Sequence, residues 1–180
     1  MYLHYQLAKG SMRTMLRLFH SPGQLNKAQL YRVYEQSICN DGRRNYPSLS
    51  ESLQFLRAMD DFYGYVDLFL DDNSSIYAVW VVDDVYCAAL RIEGYRDGYL
   101  LSGLETALFA RRKGYATALI NAVQKYLSEL GSYKLYSHVD KKNEPSLHVH
   151  KKCGFYRLLD YAVFIDGSVF HNSYTLCYEI

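Results

Sequence analysis

The chain has 180 residues, the length of one domain, and its twenty Lys and Arg against nineteen Asp and Glu leave a formal net charge of +1. That balance excludes a dedicated nucleic-acid binder, whose affinity needs a surplus of cations along the phosphates. Apolar residues make up 49%, which excludes wholesale disorder, and nineteen tyrosines point to half-buried strands around a polar cleft.

Residues 1–11 form an extension that the pattern does not assign, within a single domain spanning 1–180. The opening MYLHYQLAKGSMRTML lacks the apolar stretch and small-residue cleavage site of a secretory leader. Cys39, Cys87, Cys153 and Cys177 lie far apart with no CxxC pair, as reduced thiols do. Apolar runs are too short to cross a bilayer. A soluble cytoplasmic protein with no membrane partner is expected.

Residues 12–20 read as a first strand, broken by Ser21-Pro22-Gly23, and Asn26 can cap a helix to about Ile38. Ser48 or Ser50 can cap a second helix, with Leu53, Leu56, Met59, Tyr63, Val66 and Leu70 at helical spacing. The period then changes. Residues 76–82 and 85–92 are β-branched and aromatic runs around Asp83-Asp84, and 99–106 is a further strand. Residues 114–130 carry a helical apolar stripe stopped by Gly131. Then come a strand at 133–139, a short helix at 144–152 and a last hairpin, 155–165 with 169–180, around Asp166-Gly167. The order β-α-α-β-β-β-α-β-α-β-β predicts an α/β fold with one mixed sheet covered by helices.

Charge is uneven along this order. Residues 1–98 hold 10 basic and 12 acidic side chains, whereas 99–180 hold 10 and 7. The C-terminal excess clusters at Arg111-Arg112-Lys113, Lys141-Lys142 and Lys151-Lys152, beside turns and helix starts. The first cluster joins a strand to a helix that opens at Gly114-Tyr115-Ala116. Free amides at a helix start, with the dipole behind them, bind anionic oxygen, and Gly114 lets the main chain come close. The alternative is a basic loop before an ordinary helix. P-loop and Rossmann spacings are both absent.

Arg111-x-x-Gly114-x-Ala116 resembles the first signature of the GNAT superfamily of acetyl-CoA-dependent N-acetyltransferases. Downstream, Asn143-x-x-Ser146-x-x-x-His150-x-x-x-Gly154-Phe155 is similar to the second, at the expected spacing. The resemblance is strongest over 76–180. It implies a GNAT-like fold and acetyl-CoA as co-substrate, with no metal. It places the pyrophosphate on Arg111, Arg112, Lys113, Gly114, Tyr115 and Ala116, and the pantetheine arm near Thr106 and Ala107. Asn143 would touch the arm or hold its loop. An amine would attack the thioester directly, main-chain donors near Thr106 or Ala107 would stabilise the oxyanion, and the thioester would lie where two strands splay.

Glu105, at the end of its strand, is the candidate base, unless it pairs with Arg111 or Arg91. His150 stands where many relatives carry a tyrosine that donates to the CoA sulfur, so it is the candidate acid, unless it merely packs. Leu108 replaces a proline often found before the first signature. His148, His150 and Cys153 are badly spaced for one metal ion, and Cys153 reads as packing. The second helix carries Asp60, Asp61, Asp67, Asp71 and Asp72 among Phe62, Tyr63 and Tyr65: either a solvated face or a wall for a cationic amine. Tyr174 is a further lining candidate. The expected acceptor is a small-molecule or peptide primary amine, with no nucleic acid, and a homodimer is a candidate assembly. A CoA-binding regulatory or interaction domain with weak or no turnover is the alternative.

Overall fold

The computed structural model describes residues 3–4, 13–131 and 134–179. Met12, Tyr133, Ile180 and most of the 1–11 extension therefore lie outside the described residues. Ten strands and four helices follow one another: β1 Leu3–His4, β2 Thr14–Phe19, α1 Lys27–Asn45, α2 Glu51–Asp71, β3 Ile76–Val82, β4 Val85–Tyr95 and β5 Gly98–Thr106. Then come α3 Tyr115–Leu130, β6 Lys134–Asp140, α4 Glu144–Lys152, β7 Tyr156–Leu159, β8 Ala162–Val163, β9 Val169–Phe170 and β10 Ser173–Glu179.

Eight strands form one sheet in the order β1-β2-β3-β4-β5-β6-β10-β7, antiparallel throughout except between β5 and β6. Every residue of β3 is buried, the mark of a central strand covered on both faces. One face is covered by α3, whose Leu119, Ile120, Val123 and Leu127 are almost wholly buried. The other is covered by α1 and α2, through ring contacts such as Tyr34 and Phe69 on Tyr77.

Three expectations change. The α1 helix is capped by Asn26, whose Oδ1 accepts from the Gln29 amide at 3.0 Å, but it runs past Ile38 to Asn45 because packing on α2 carries it onward. The apolar stripe of α2 is buried at Val66 and Leu70 only; Leu53 and Leu56 are exposed. The terminal hairpin is interrupted: β8 pairs with β9, whereas β7 and β6 pair with β10. Tyr95 and Thr175 tie the small hairpin down, their hydroxyls donating to the Val163 and Tyr161 carbonyls at 2.6 and 2.7 Å.

The parallel contact of β5 and β6 spans only Gly98–Leu100 against Lys134–Tyr136. Beyond it the strands diverge, and β6 carries α4 away from β5. Gly98 lies so close to the Lys134 backbone that a Cβ would collide with its carbonyl. Gly98→Ala should prise this short ladder apart and cost about 1–3 kcal/mol, as overpacking does. Denaturant unfolding checks it, and unchanged stability would reject the close contact.

Candidate active site

The site begins with an extra residue in β5. Arg91 of β4 pairs with Ser102 and Ala89 pairs with Glu105, so Gly103 and Leu104 together face Leu90. This is a β-bulge, and Gly103 supplies its left-handed conformation at φ +59°. Side chains alternate along a strand, so residues 102 and 105 would otherwise point to opposite faces. The bulge puts Glu105 on the face of Ala89 and Arg91, beneath α1 and α2. There its carboxylate accepts from Ser37 Oγ of α1 at 2.5 Å. It forms no ion pair with Arg111 or Arg91 among the described residues.

Two clefts meet at Glu105 and Ser37, which line both. The larger, about 630 Å³, lies between the end of β5, the start of α3 and α4. Thr106, Arg111, Arg112, Gly114, Tyr115, Ala116 and Asn143 all line it. Arg112 and Gly114 both have positive φ, 61° and 81°, which curls the main chain before α3. Gly114 heads the helix, its carbonyl accepting from the Ala118 amide at 3.0 Å, so the amides ahead of Ala118 lie outside the helical ladder. Arg111 braces the mouth: Nε donates to the Thr106 carbonyl at 3.3 Å and a terminal nitrogen donates to Gln36 Oε1 at 2.7 Å. Asn143 caps α4, its Oδ1 accepting from the Ser146 amide at 3.1 Å, which leaves Nδ2 as its hydrogen-bonding group for a ligand.

Three expected site residues fall elsewhere. Ala107 is fully buried; its amide donates to the Cys87 carbonyl at 3.0 Å, so it is not available to an oxyanion. Lys113 is exposed and does not line the cleft. His150 is only 2% exposed, stacks edge-on against Phe155 at 5.2 Å and lines neither cleft. Its Nδ1 lies 2.8 Å from the Ser146 carbonyl, an acceptor, so Nδ1 carries the proton. Burial holds the ring's proton affinity below its ordinary value despite that bond, so the imidazole is neutral and Nε2 is a bare acceptor. A side chain in that state has no proton ready for a leaving thiolate, which supports packing over the expected acid role.

The smaller cleft, about 370 Å³, lies between α1, α2 and the sheet. Of the acidic face on α2, only Asp61 reaches it, with Phe62 and Tyr65. Asp61 accepts from the Tyr46 hydroxyl at 2.5 Å, whereas Asp67 pairs with Lys27 and Asp72 holds Ser74. Tyr174 lines neither cleft; Lys141 and Arg157 lie over its ring, each 5.1 Å from the centroid. Sequence reasoning missed Ser37, Asp41, Tyr34 and Tyr77 as lining residues and treated Arg91 only as a partner for Glu105. Gly103 was the available signal, since a lone glycine inside a strand marks a bulge.

Burial also depresses His138, helped by nearby Arg96. For both histidines the unfolded chain takes up the proton first. Their contribution to stability is whole above about 6.5 and is lost as pH falls through that value toward the folded one. The melting temperature should therefore fall between about pH 7 and pH 5, and His150→Gln should make that fall shallower while His138 keeps part of it. Equal slopes in the two proteins would reject a buried neutral His150.

Residues 36–155 match the model of the acetyltransferase (GNAT) family. No curated protein sequence matches the chain. Among solved structures it is similar to a putative GNAT-family acetyltransferase from Desulfovibrio desulfuricans, at 15% identity over 92% of this chain and 98% of that one, with TM-score 0.64. A spermidine N-acetyltransferase chimera from Vibrio cholerae and hSSAT is similar at 20% identity, covering 92% and 95%, with TM-score 0.61. So is a PaiA N-acetyltransferase from Thermoplasma acidophilum in complex with coenzyme A, at 10% identity, 92% and 99%, with TM-score 0.61. At such identities the structural likeness concerns the fold, a mostly antiparallel sheet with four helices, and the family match covers two thirds of the sequence. The chain belongs to the acetyltransferase (GNAT) family and is an acyltransferase.

Proposed function

We propose that the protein transfers an acetyl group from acetyl-CoA to a primary amine of a small molecule or peptide by direct attack. Glu105 carries this reading, because one carboxylate stands where a long cationic cleft meets a short aromatic one. Arg111, Arg112 and the curled chain at Gly114 suit a pyrophosphate, as cations and a helix start do. Past Leu100, β5 has no partner on the β6 side among the described residues, which offers its edge to an extended pantetheine arm beside Thr106.

Acetyl-CoA supplies an acetyl group already activated as a thioester, so net transfer to the ammonium form of the acceptor forms a C–N bond, breaks the C–S bond and releases CoA thiol and one proton. Ser37 holds one oxygen of Glu105, and the carboxylate is left to take the amine's proton directly or through water. Asn143 offers Nδ2 to the arm. His150 supports α4 from within rather than touching the reacting atoms.

One observation favours the second reading, a CoA-binding domain with weak or no turnover. The position of the tyrosine acid holds a buried imidazole that keeps its proton on the Ser146 carbonyl. Acetyl-CoA should raise the melting temperature under both readings, since a ligand of the native state stabilises it. Only the first expects CoA thiol release with an amine. Glu105→Gln should then lower kcat by about 100-fold or more with acetyl-CoA affinity retained, as loss of a general base does. An unchanged kcat removes Glu105 from the chemistry.

A further inference from the structure

Building on the acetyl-transfer reading above, on which this depends, we propose that the acceptor carries a carboxylate and that Arg91 binds it. The small cleft would then select amino-carboxylates, in the simplest case free amino acids, over plain amines.

Arg91 stands in the middle of β4, and its side chain forms part of the 370 Å³ cleft. Its guanidinium lies 4.8 Å from the Tyr65 ring centroid and 5.7 Å from that of Phe69. It also rests against Gly103, where a Cβ would come within 2.9 Å of a terminal nitrogen. Among the described residues Arg91 makes no ion pair, and its Nε is buried without a partner. Arg17, Arg43, Arg44 and Arg157, by contrast, each meet a carboxylate at the surface. Glu93, on the same face of β4, accepts from Ser102 Oγ at 3.3 Å and acts on Arg91 only through space.

A half-buried cation with no counter-ion among the described residues is costly, and this one keeps its charge. Burial alone would weaken its hold on the proton, but Tyr34, Tyr65, Tyr77 and Glu93 more than offset that. Ring contacts contribute to the faces of the guanidinium plane, whereas a carboxylate binds the N–H groups within the plane, two at a time. Nε, which lies in that plane and is buried without a partner, is the unfilled capacity. Burial also keeps the Tyr77 phenol protonated, so it faces the guanidinium as a neutral group. Tyr34 is committed, donating to the Gly103 carbonyl at 2.7 Å.

The two ends of the cleft fit one small molecule. Glu105 lies opposite Ala89, two residues from Arg91 on the same face, a backbone offset of about 7 Å. An ammonium at Glu105 and a carboxylate at Arg91 can therefore belong to one amino acid. Asp41 and Asp61 at the outer end are held by Arg44 and Tyr46, and their charge disfavours a second anion there.

The test is CoA thiol release with matched pairs: L-phenylalanine and phenethylamine, L-leucine and isopentylamine, L-methionine and 3-methylthiopropylamine, L-lysine and cadaverine. The carboxylated member of at least one pair should have the higher kcat/KM, by about tenfold or more, the worth of a charged hydrogen-bonded pair. Arg91→Gln should abolish that preference, and Arg91→Lys, which keeps the charge without the fork, should restore part of it. Because the wild-type comparison stands alone, a variant that fails to fold does not spoil the test. Plain amines acetylated as well as their carboxylated partners would overturn the proposal and leave acetyl transfer standing. A panel silent throughout also overturns it. The acetyl-CoA thermal shift then separates the two cases, because no shift brings down the acetyl-transfer reading as well.

Discussion

One inserted residue in β5 decides which face of the sheet Glu105 takes. With Gly103 in a left-handed conformation, Ser102 and Glu105 share a face of the sheet; in a regular strand they would not. The consequences extend through three elements. Ser37 of α1 finds a carboxylate to hold, Tyr34 finds the Gly103 carbonyl, and Arg91 of β4 has room for its guanidinium because residue 103 lacks a side chain. A methyl group at this position would displace Arg91 and strain the backbone together, so the bulge and the arginine act as one unit.

The second constraint is the brevity of the β5–β6 ladder. Three paired residues join the two halves of the sheet, and divergence beyond them leaves the edge of β5 exposed to the larger cleft. Had the pairing continued to Thr106, α4 would lie against β5 and Asn143 could not share a cleft with Gly114. Splay and bulge are complementary. The first opens the long cleft, and the second turns the one carboxylate at its inner end toward the short cleft.

The sequence disclosed those parts of this arrangement that depend on local chemistry. The bounds of β3 follow from its apolar run, the α1 start from Asn26, and the basic turn before α3 from Arg111, Gly114 and Ala116. What stayed hidden depends on pairing between distant segments. Ser37 and Glu105 are 68 residues apart, and nothing in either neighbourhood announces their contact. The end of α1 lies beyond the expected Ile38 for a related reason, since polar residues 40–45 look like a terminus until α2 packs beside them. His150 shows the converse. Its place in a motif implies a role, whereas its depth of burial and the Ser146 carbonyl depend on packing that the motif does not describe.

Net charge near zero hides a separation that the fold makes useful. Arg111 and Arg112 give the long cleft a cationic mouth, with Glu105 as the one carboxylate among its lining residues. The short cleft reverses the order, with Asp41 and Asp61 outside and Arg91 within. Field lines between such groups are poorly screened in narrow, partly dry spaces. An anionic donor is thus drawn to one opening. At the other, an ammonium is favoured near Glu105 and a carboxylate only near Arg91. The sheet sets these charges on either side of Glu105, and under the proposed transfer they would orient an acceptor before its side chain makes any contact.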